Sequence, residues 1–365
     1  MPVDVVRVLD SKHLNSHQHF LKTALQLAWH GRGFSAPNPP VGAVIVRDNK
    51  IISIGFHRAA GLPHAEVEAL QLLGDARDTS IYVTLEPCCH WGKTPPCTDL
   101  LIAKGVKQVY FGFADPNPKI KGKTKNILKV ANILCEQINI PEIEAFYQSY
   151  AYWQQHQRPF ITAKLAVSLD GKIAGFNGKP VKLTNELTDQ FTHQQRIHSD
   201  AIFTTAVTVN NDNPQLNGRL DGKIIAKPIY VLDKQLSINL ESQLFLTAKS
   251  VTLFHASNCD QHKLQQLRKK NIRCIALNAD SHLSFSEIFD HIGKDGIHDL
   301  WIEAGGRLFS TLLAEGFVNR AYIYIAPKIL GADSKSGFTA SHFFERAKDI
   351  SWETKGSDAI CKINF

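Results

Sequence analysis

The chain has 365 residues, 44% hydrophobic and 9% aromatic, an ordinary globular composition and a length that suits two domains. No apolar run approaches a membrane span, Met1–Ser16 lacks the apolar centre of a signal peptide, and seven cysteines without framework spacing argue against a secreted disulfide scaffold, so a cytoplasmic protein is expected. The net charge of +7 is spread evenly, 16 Lys+Arg against 13 Asp+Glu up to residue 150 and 25 against 21 beyond it; this excess suits anionic small molecules better than nucleic acid.

Ser16 to His30 reads as a helix, with Ser16 as N-cap, Phe20, Ala24, Leu27 and Ala28 on one face, and Gly31 and Gly33 as the stop. Pro37-Asn38-Pro39-Pro40-Val41-Gly42 is a rigid turn feeding a hairpin, Val41–Val46 and Ile51–Phe56 around Asp48-Asn49. His57 and Gly61 fall in the loop before a helix from about Pro63 to Leu73, which opens Pro63-His64-Ala65-Glu66. Strand Ile81–Leu85 ends in Glu86-Pro87-Cys88, and eight residues separate Cys88 from Cys97.

His64, Cys88 and Cys97 offer one imidazole and two thiolates, a set suited to tetrahedral zinc. Three protein ligands leave a fourth position for water, the mark of a catalytic rather than a structural site. Zinc lowers the pKa of such a water to about 7, and Glu66, two residues from the histidine, is placed as proton carrier without being a ligand. His-x-Glu followed by Pro-Cys is the signature of hydrolytic zinc deaminases, although their cysteines are commonly two residues apart.

Strand Gln108–Phe113, the turn Asp115-Pro116-Asn117-Pro118 and a helix from about Thr124 complete an alternating α/β unit, and the lysine run Lys119–Lys129 reads as a solvated loop. Ala145–Pro159 reads as a helix leading into a linker. A second unit restarts with strand Phe160–Val167, a helix over Thr184–His198 and strand Ala201–Thr205. Strands follow near Ile229–Leu232, Val251–Phe254, Ile272–Ala276 and Leu300–Glu303, giving a mainly parallel sheet with helical crossovers. Arg320–Ile325 and Ala359–Phe365 read as paired antiparallel strands. Gly305-Gly306 opens a helix where backbone could approach a phosphate; the pair equally suits a tight strand-to-helix turn. A Gly-x-Gly-x-x-Gly fingerprint is missing.

Asn38-Pro39-Pro40-Val41-Gly42, His57-Arg58-Ala59-Ala60-Gly61, His64-Ala65-Glu66, Thr84-Leu85-Glu86-Pro87-Cys88 and Thr94-Pro95-Pro96-Cys97 together resemble the bifunctional riboflavin-biosynthesis deaminase/reductase family. The second half matches through Lys164 to Gly171, Asp212 with Pro214, Glu303-Ala304-Gly305-Gly306 and Ala326-Pro327-Lys328-Ile329-Leu330-Gly331. The resemblance implies a two-domain α/β protein. Residues 16–150 would be a cytidine-deaminase-like, three-layer α/β/α deaminase domain, and residues 151–365 a dihydrofolate-reductase-like reductase domain. It implies zinc-dependent deamination of 2,5-diamino-6-(5-phosphoribosylamino)pyrimidin-4-one, then NADPH-dependent reduction of its ribosyl side chain, in a dimer or tetramer without nucleic-acid or membrane partners. By the same resemblance Asn38, His57, His90 and Lys93 bind substrate in the deaminase, and Arg196, Leu216, Arg219 and Glu303 in the reductase. Ala166, Lys182, Thr208, Asp212, Gly305, Gly306, Arg307 and Leu308 match cofactor-side positions.

Three places depart from the family pattern. Cys89 stands where serine is frequent, Pro180-Val181-Lys182-Leu183-Thr184 replaces Ser-x-Trp-Ile-Thr, and Asn213 occupies the place of a second aspartate. The retained Asp212, Glu303 and glycine turn lead us to expect an active reductase with altered cofactor affinity. Two other readings are a nucleoside or nucleic-acid deaminase with an unrelated second domain, and a zinc-stabilised binding protein. The eight-residue cysteine spacing and Glu66, respectively, argue against them.

Overall fold

The computed structural model describes residues 17–71, 73–92, 95–277, 284–339 and 343–365. The chain divides into two compact units, up to Gln155 and from His156 onward.

The first unit runs α1 His17–Gly31, β1 Gly42–Arg47, β2 Lys50–Phe56, α2 Ala65–Gln71, β3 Ser80–Leu85, α3 Cys97–Ala103, β4 Gln108–Phe113, α4 Lys123–Val130, β5 Leu134–Gln137 and α5 Pro141–His156. Its five strands lie in the order β2-β1-β3-β4-β5, with β1 antiparallel to both neighbours and β3, β4 and β5 mutually parallel. The hairpin turn falls at Asp48-Asn49, both left-handed (φ 48° and 58°), the pair of conformations a two-residue hairpin loop requires. One face of the sheet packs on α1 and α5 through Leu21, Ala24, Phe146 and Tyr147. The other packs on α2, α3 and α4 through Ala69, Leu101 and Leu128. The result is the three-layer α/β/α architecture expected from the sequence.

Two sequence readings need correction here. The lysine run is mostly helix: α4 buries Thr124 and Leu128 and turns Lys123, Lys125 and Lys129 to solvent, a narrow apolar face that its charge masks. The stretch taken as helix into linker starts earlier and is anchored; α5 begins at Pro141 and buries Ile143, Phe146, Tyr147 and Tyr150. Aromatic side chains do there what aliphatics do elsewhere in the core.

The second unit runs β6 Phe160–Ser168, β7 Lys172–Phe176, α6 Glu186–His198, β8 Ala201–Thr205, α7 Ala206–Asp212, β9 Gly218–Leu220, β10 Lys223–Ile225, β11 Pro228–Leu232 and α8 Leu244–Thr247. It continues with β12 Ser250–Ala256, α9 Gln261–Lys269, β13 Arg273–Leu277, α10 Phe285–Lys294, β14 Asp299–Glu303, α11 Gly306–Ala314, β15 Arg320–Ala326, β16 Ser334–Ser336, β17 Asp349–Lys355 and β18 Asp358–Asn364. Nine strands form one sheet, β13-β12-β11-β8-β14-β6-β15-β18-β17, parallel from β13 to β15 and antiparallel beyond. The expected pairing of the two C-terminal runs is present as β15 against β18. Apolar cores cover both faces, one against α10 and α11, the other including Leu264 and Leu267 of α9.

Close approach of α2 to β2 sets up the first site. A Cβ on Gly55 would lie 2.4 Å from the Ala65 carbonyl oxygen and 2.5 Å from the Ala69 amide nitrogen. Gly55→Ala therefore has to lift the helix off the strand. We expect it to destabilise the first unit by roughly 2–3 kcal/mol, read as a lowered urea midpoint; an unchanged midpoint would contradict the packing described.

Candidate active site

Each metal-ligand candidate comes from a different connection on one side of the first sheet. His64 immediately precedes α2, and its carbonyl accepts the Glu68 amide (3.0 Å). Cys88 follows β3, and Cys97 is the first residue of α3. His64 Nδ1 lies 3.3 Å from Cys97 Sγ and 3.6 Å from Cys88 Sγ. Among the described residues these three form the one His/Cys/Asp/Glu group with ligand atoms converged, all within 4.8 Å of one another. Tetrahedral zinc bonds of about 2.3 Å to sulfur and about 2.0 Å to nitrogen place such donors roughly 3.5 Å apart. The nitrogen–sulfur spacings fit that ion with shifts of a few tenths of an ångström.

The donors' electrostatics agree with a metal site. Cys88 is pushed down to about 4, chiefly by hydrogen bonds from Cys97 and His64, which outweigh burial. Cys97, the partner that keeps its proton, moves up, and His64 moves up because it donates to Cys88. A thiolate is thus favoured at neutral pH, the form that ligates metal. Glu66 is 4% exposed, and burial pushes its carboxyl above the ordinary range. That is the direction needed by a group that takes and returns protons near neutrality.

The cleft beside these residues has a volume of about 370 Å³. His57, 2% exposed, donates from Nδ1 to the Pro63 carbonyl (2.9 Å), so its Nε2 is left to accept Asn38 Nδ2 (3.1 Å). Burial lowers its pKa and keeps it neutral. Both ring nitrogens are therefore engaged within the protein, and His57 orients Asn38, which lines the cleft. His90 also lines it, with a buried Nδ1 lacking a hydrogen-bond partner. Lys93 lies outside the described residues. Cys89 lies beyond the donor cluster, its Sγ 4.0 Å from the Lys119 carbonyl oxygen.

Sequence reading missed several cleft residues. Asp115, read only as part of a turn, is 2% exposed and lines the cleft; burial pushes its carboxyl up to about 6. Glu86 is anchored by the amides of Asp115 (3.2 Å) and Gly122 (3.1 Å). Tyr150, Trp153 and Gln154 reach the cleft from α5. The doubled Pro turn around Asp115 was the available signal; α5 offered none.

In the second unit the candidates gather at the carboxyl ends of the adjacent parallel strands β8, β14 and β6, where open α/β sheets bind ligands. Arg196 grips Glu303 with two hydrogen bonds, Nε to Oε1 at 2.6 Å and Nη2 to Oε2 at 2.9 Å, and Trp301 Nε1 adds a third at 2.8 Å. Burial alone would raise Glu303, but the Arg196 charge and these donors outweigh it and hold the carboxyl at about 2. The guanidinium that the resemblance gives to substrate is thus already neutralised, with Nη1 3.2 Å from the Asn217 carbonyl. Arg219 bonds Gln215 and Asn217 (2.9 and 2.6 Å) from a more exposed position. Leu216 is buried in a left-handed conformation (φ 47°), a strain of roughly 1–3 kcal/mol. Lys164 on β6 is half-buried with its Nζ 5.3 Å from the Tyr324 ring centre, and desolvation lowers its pKa.

Among the residues that the resemblance gives to the cofactor, Thr208 donates its amide to Thr205, the cap of α7 (3.2 Å), and Asp212 ends that helix. Ala166 is half-buried on β6. The two glycines have separate reasons. A Cβ on Gly306 would strike the Gly337 carbonyl at 2.0 Å, so packing demands this glycine, whereas Gly305 faces open space that a ligand could enter. Arg307 is exposed, and the Leu308 side chain belongs to the core. Lys182 is exposed, its Nζ 3.4 Å from Asp189. Asn213 caps α7 in the left-handed conformation (φ 42°), which asparagine tolerates, and its Oδ1 accepts the Gln243 amide (2.8 Å).

Because Glu303 sits at about 2 rather than 4.5, its contribution to stability is complete above about pH 4.5 and is lost as pH falls toward 2. Glu303→Gln should cost about 3 kcal/mol at neutral pH by leaving Arg196 unpaired. It should also make the second unit's urea midpoint fall less than wild type's between about pH 5 and pH 3. Equal falls in the two proteins would contradict a depressed Glu303.

Comparison with known proteins agrees with both halves. Residues 14–113 match the cytidine and deoxycytidylate deaminase zinc-binding region, and residues 159–361 match the RibD C-terminal domain. The riboflavin biosynthesis protein RibD of Actinobacillus pleuropneumoniae is 36% identical over 86% of this chain and 84% of its own. That of Escherichia coli K12 is 35% identical over 87% and 89%. The solved structure of Acinetobacter baumannii RibD superposes with a TM-score of 0.85 at 30% identity, covering 96% of this chain and 99% of that one. A Thermotoga maritima diaminohydroxyphosphoribosylaminopyrimidine deaminase/5-amino-6-(5-phosphoribosylamino)uracil reductase gives 0.83 at 29%, with the same coverage. The chain belongs to the RibD family of bifunctional riboflavin-biosynthesis enzymes, with a zinc-binding deaminase domain followed by a reductase domain.

Proposed function

We propose that residues 16–150 deaminate 2,5-diamino-6-(5-phosphoribosylamino)pyrimidin-4-one, and that residues 151–365 then reduce its ribosyl chain with NADPH to give 5-amino-6-(5-phosphoribitylamino)uracil. The observation that carries this reading is the convergence of His64, Cys88 and Cys97 on one point beside the buried carboxyl of Glu66.

His64, Cys88 and Cys97 would hold the zinc, which when bound supplies Lewis acidity for hydrolysis. In the reaction a water oxygen forms a bond to the ring carbon, and the bond from that carbon to its amino nitrogen breaks. Glu66 takes the proton that water gives up, passes it to the ring nitrogen, and carries the next to the departing amine, which leaves as ammonia. Asn38, held by His57, orients the pyrimidine. His90 and Lys93, both between the two cysteines in the sequence, are given to the ribose phosphate by the family resemblance.

For the reductase, NADPH supplies the hydride, and the protein's part is to place the sugar against it. Arg196, Leu216, Arg219 and Glu303 form the substrate side. Ala166, Lys182, Thr208, Asp212 and the turn Gly305, Gly306, Arg307, Leu308 form the cofactor side. Since Gly306 and Leu308 are committed to packing, their contribution is through the backbone. Asn213 has a capping role that does not depend on the reductase being lost. The free state of all seven cysteines supports a reducing, cytoplasmic setting. The reading includes a homo-oligomer assembled through the reductase domain, acting on a small phosphorylated pyrimidine with no nucleic-acid or membrane partner.

Glu66→Gln is the sharpest single test. Zinc content should stay at the wild-type level while deamination falls about 10²–10⁴-fold; reductase turnover of the deaminated intermediate should be unchanged. Full deaminase activity in this variant would defeat the assignment.

A further inference from the structure

We propose that the last turns of α5 form the specificity wall of the deaminase: Trp153 is the surface on which the sugar substituent of the pyrimidine rests, and Tyr150 with Gln154 anchors that wall to Asp115. The inference rests on the deaminase reading above and adds a substrate-selecting element to it.

The matched deaminase region ends at residue 113. It contains the three donors and Glu66, Asn38 and His57, which serve the ring, and His90 and Lys93, which the reading above gives to the phosphate; the sugar between ring and phosphate is left without a surface to rest on. The cleft is not closed by that region alone. Its remaining wall is built from Asp115 and Asn117 after β4, and from Tyr150, Trp153 and Gln154 on α5. At about 370 Å³ the cleft lies within the roughly 300–1,000 Å³ that accommodates drug-sized ligands, more than one pyrimidine ring fills.

The wall is held firmly. Residues 150, 153 and 154 share one helix face by their three- and four-residue spacing. Gln154 Nε2 donates to the Tyr150 hydroxyl (3.1 Å), which donates to Asp115 Oδ1 (3.1 Å); the Asn117 amide bonds the same oxygen at 2.8 Å. Tyr150 and Asp115 are 4% and 2% exposed, so this chain of bonds is screened from water. The Trp153 ring stacks on Tyr150 with centroids 6.4 Å apart and planes 23° from parallel. The N-terminal half of α5 is sunk in the core through Ile143, Phe146 and Tyr147, so the aromatic face is presented by a fixed element. An indole face with an amide beside it offers the apolar body and polar edge that a sugar requires.

The test uses the full zinc-loaded chain and follows ammonia release from two substrates, the phosphoribosylaminopyrimidine and the same ring without its ribosyl phosphate. Trp153→Leu should raise KM for the first about tenfold with kcat within twofold. Its kcat/KM preference for the first over the bare ring should shrink by a similar factor. Trp153→Phe should retain most of that preference, and Tyr150→Phe should give a smaller loss in the same direction. NADPH oxidation by each variant, with the deaminated intermediate supplied, should stay at the wild-type rate. An unchanged preference in Trp153→Leu overturns the proposal, including the case where both substrates slow equally through a folding defect. If wild type releases no ammonia from either substrate, the deaminase reading itself fails and this inference falls with it.

Discussion

The first unit depends on how closely α2 can lie on β2. That approach, which Gly55 permits, places His64 at the head of the helix and Glu66 in its buried first turn. Cys88 and Cys97 arrive from the other side, at the end of β3 and the start of α3. A shift of α2 by even an ångström would separate one imidazole from two thiolates and expose the carboxyl. Burial in that packing raises Glu66, and burial also keeps His57 neutral, whereas the depressed Cys88 depends chiefly on its hydrogen bond from Cys97. Proton chemistry and donor chemistry are thus set by the packing of α2 and by the meeting of the two cysteines before any ligand arrives.

The second unit meets a different constraint. Charged groups lie at the carboxyl ends of buried parallel strands, and an unpaired charge there would be costly. Arg196 and Glu303 resolve this by pairing, each side chain only 12% exposed, with Trp301 completing the carboxylate's bonds. The pair gives these strand ends a preformed, nearly neutral floor. Beside it, Gly306 lets the backbone at Gly337 close against α11, while Gly305 leaves the helix entrance open. Pre-organisation of this kind suits a reaction whose reactive atom belongs to a cofactor.

The chemistry was more legible in the sequence than the walls that confine it. His64, Glu66, Cys88 and Cys97 could be read because residue type and order identify a deaminase centre even when the spacing is unusual. Strands β3, β4 and β6 were legible because each is a short apolar run with turn signals on both sides. Asp115 was signalled only as part of a proline-rich turn and Trp153 by nothing: both approach the cleft through tertiary packing, and neither carries a spacing pattern that points to the metal. Helix α5 was read as a helix, but its start at Pro141 and its place in the core were missed because aromatics replace the aliphatic periodicity that usually marks a core helix. Pairing of Arg196 with Glu303 was equally hidden, since 107 residues separate them and each alone reads as a ligand group.

On the reading proposed above, one chain performs hydrolytic deamination and NADPH-dependent reduction in sequence. Mass spectrometry of the products formed from the phosphoribosylaminopyrimidine, with and without NADPH, tests it most directly. Exchange of one amino group for oxygen without cofactor, followed by a gain of two hydrogens with it, is the predicted result. Exchange alone would contradict the reductase half and single out Pro180 and Lys182 as its point of failure. An unchanged substrate from protein with zinc bound would contradict both halves.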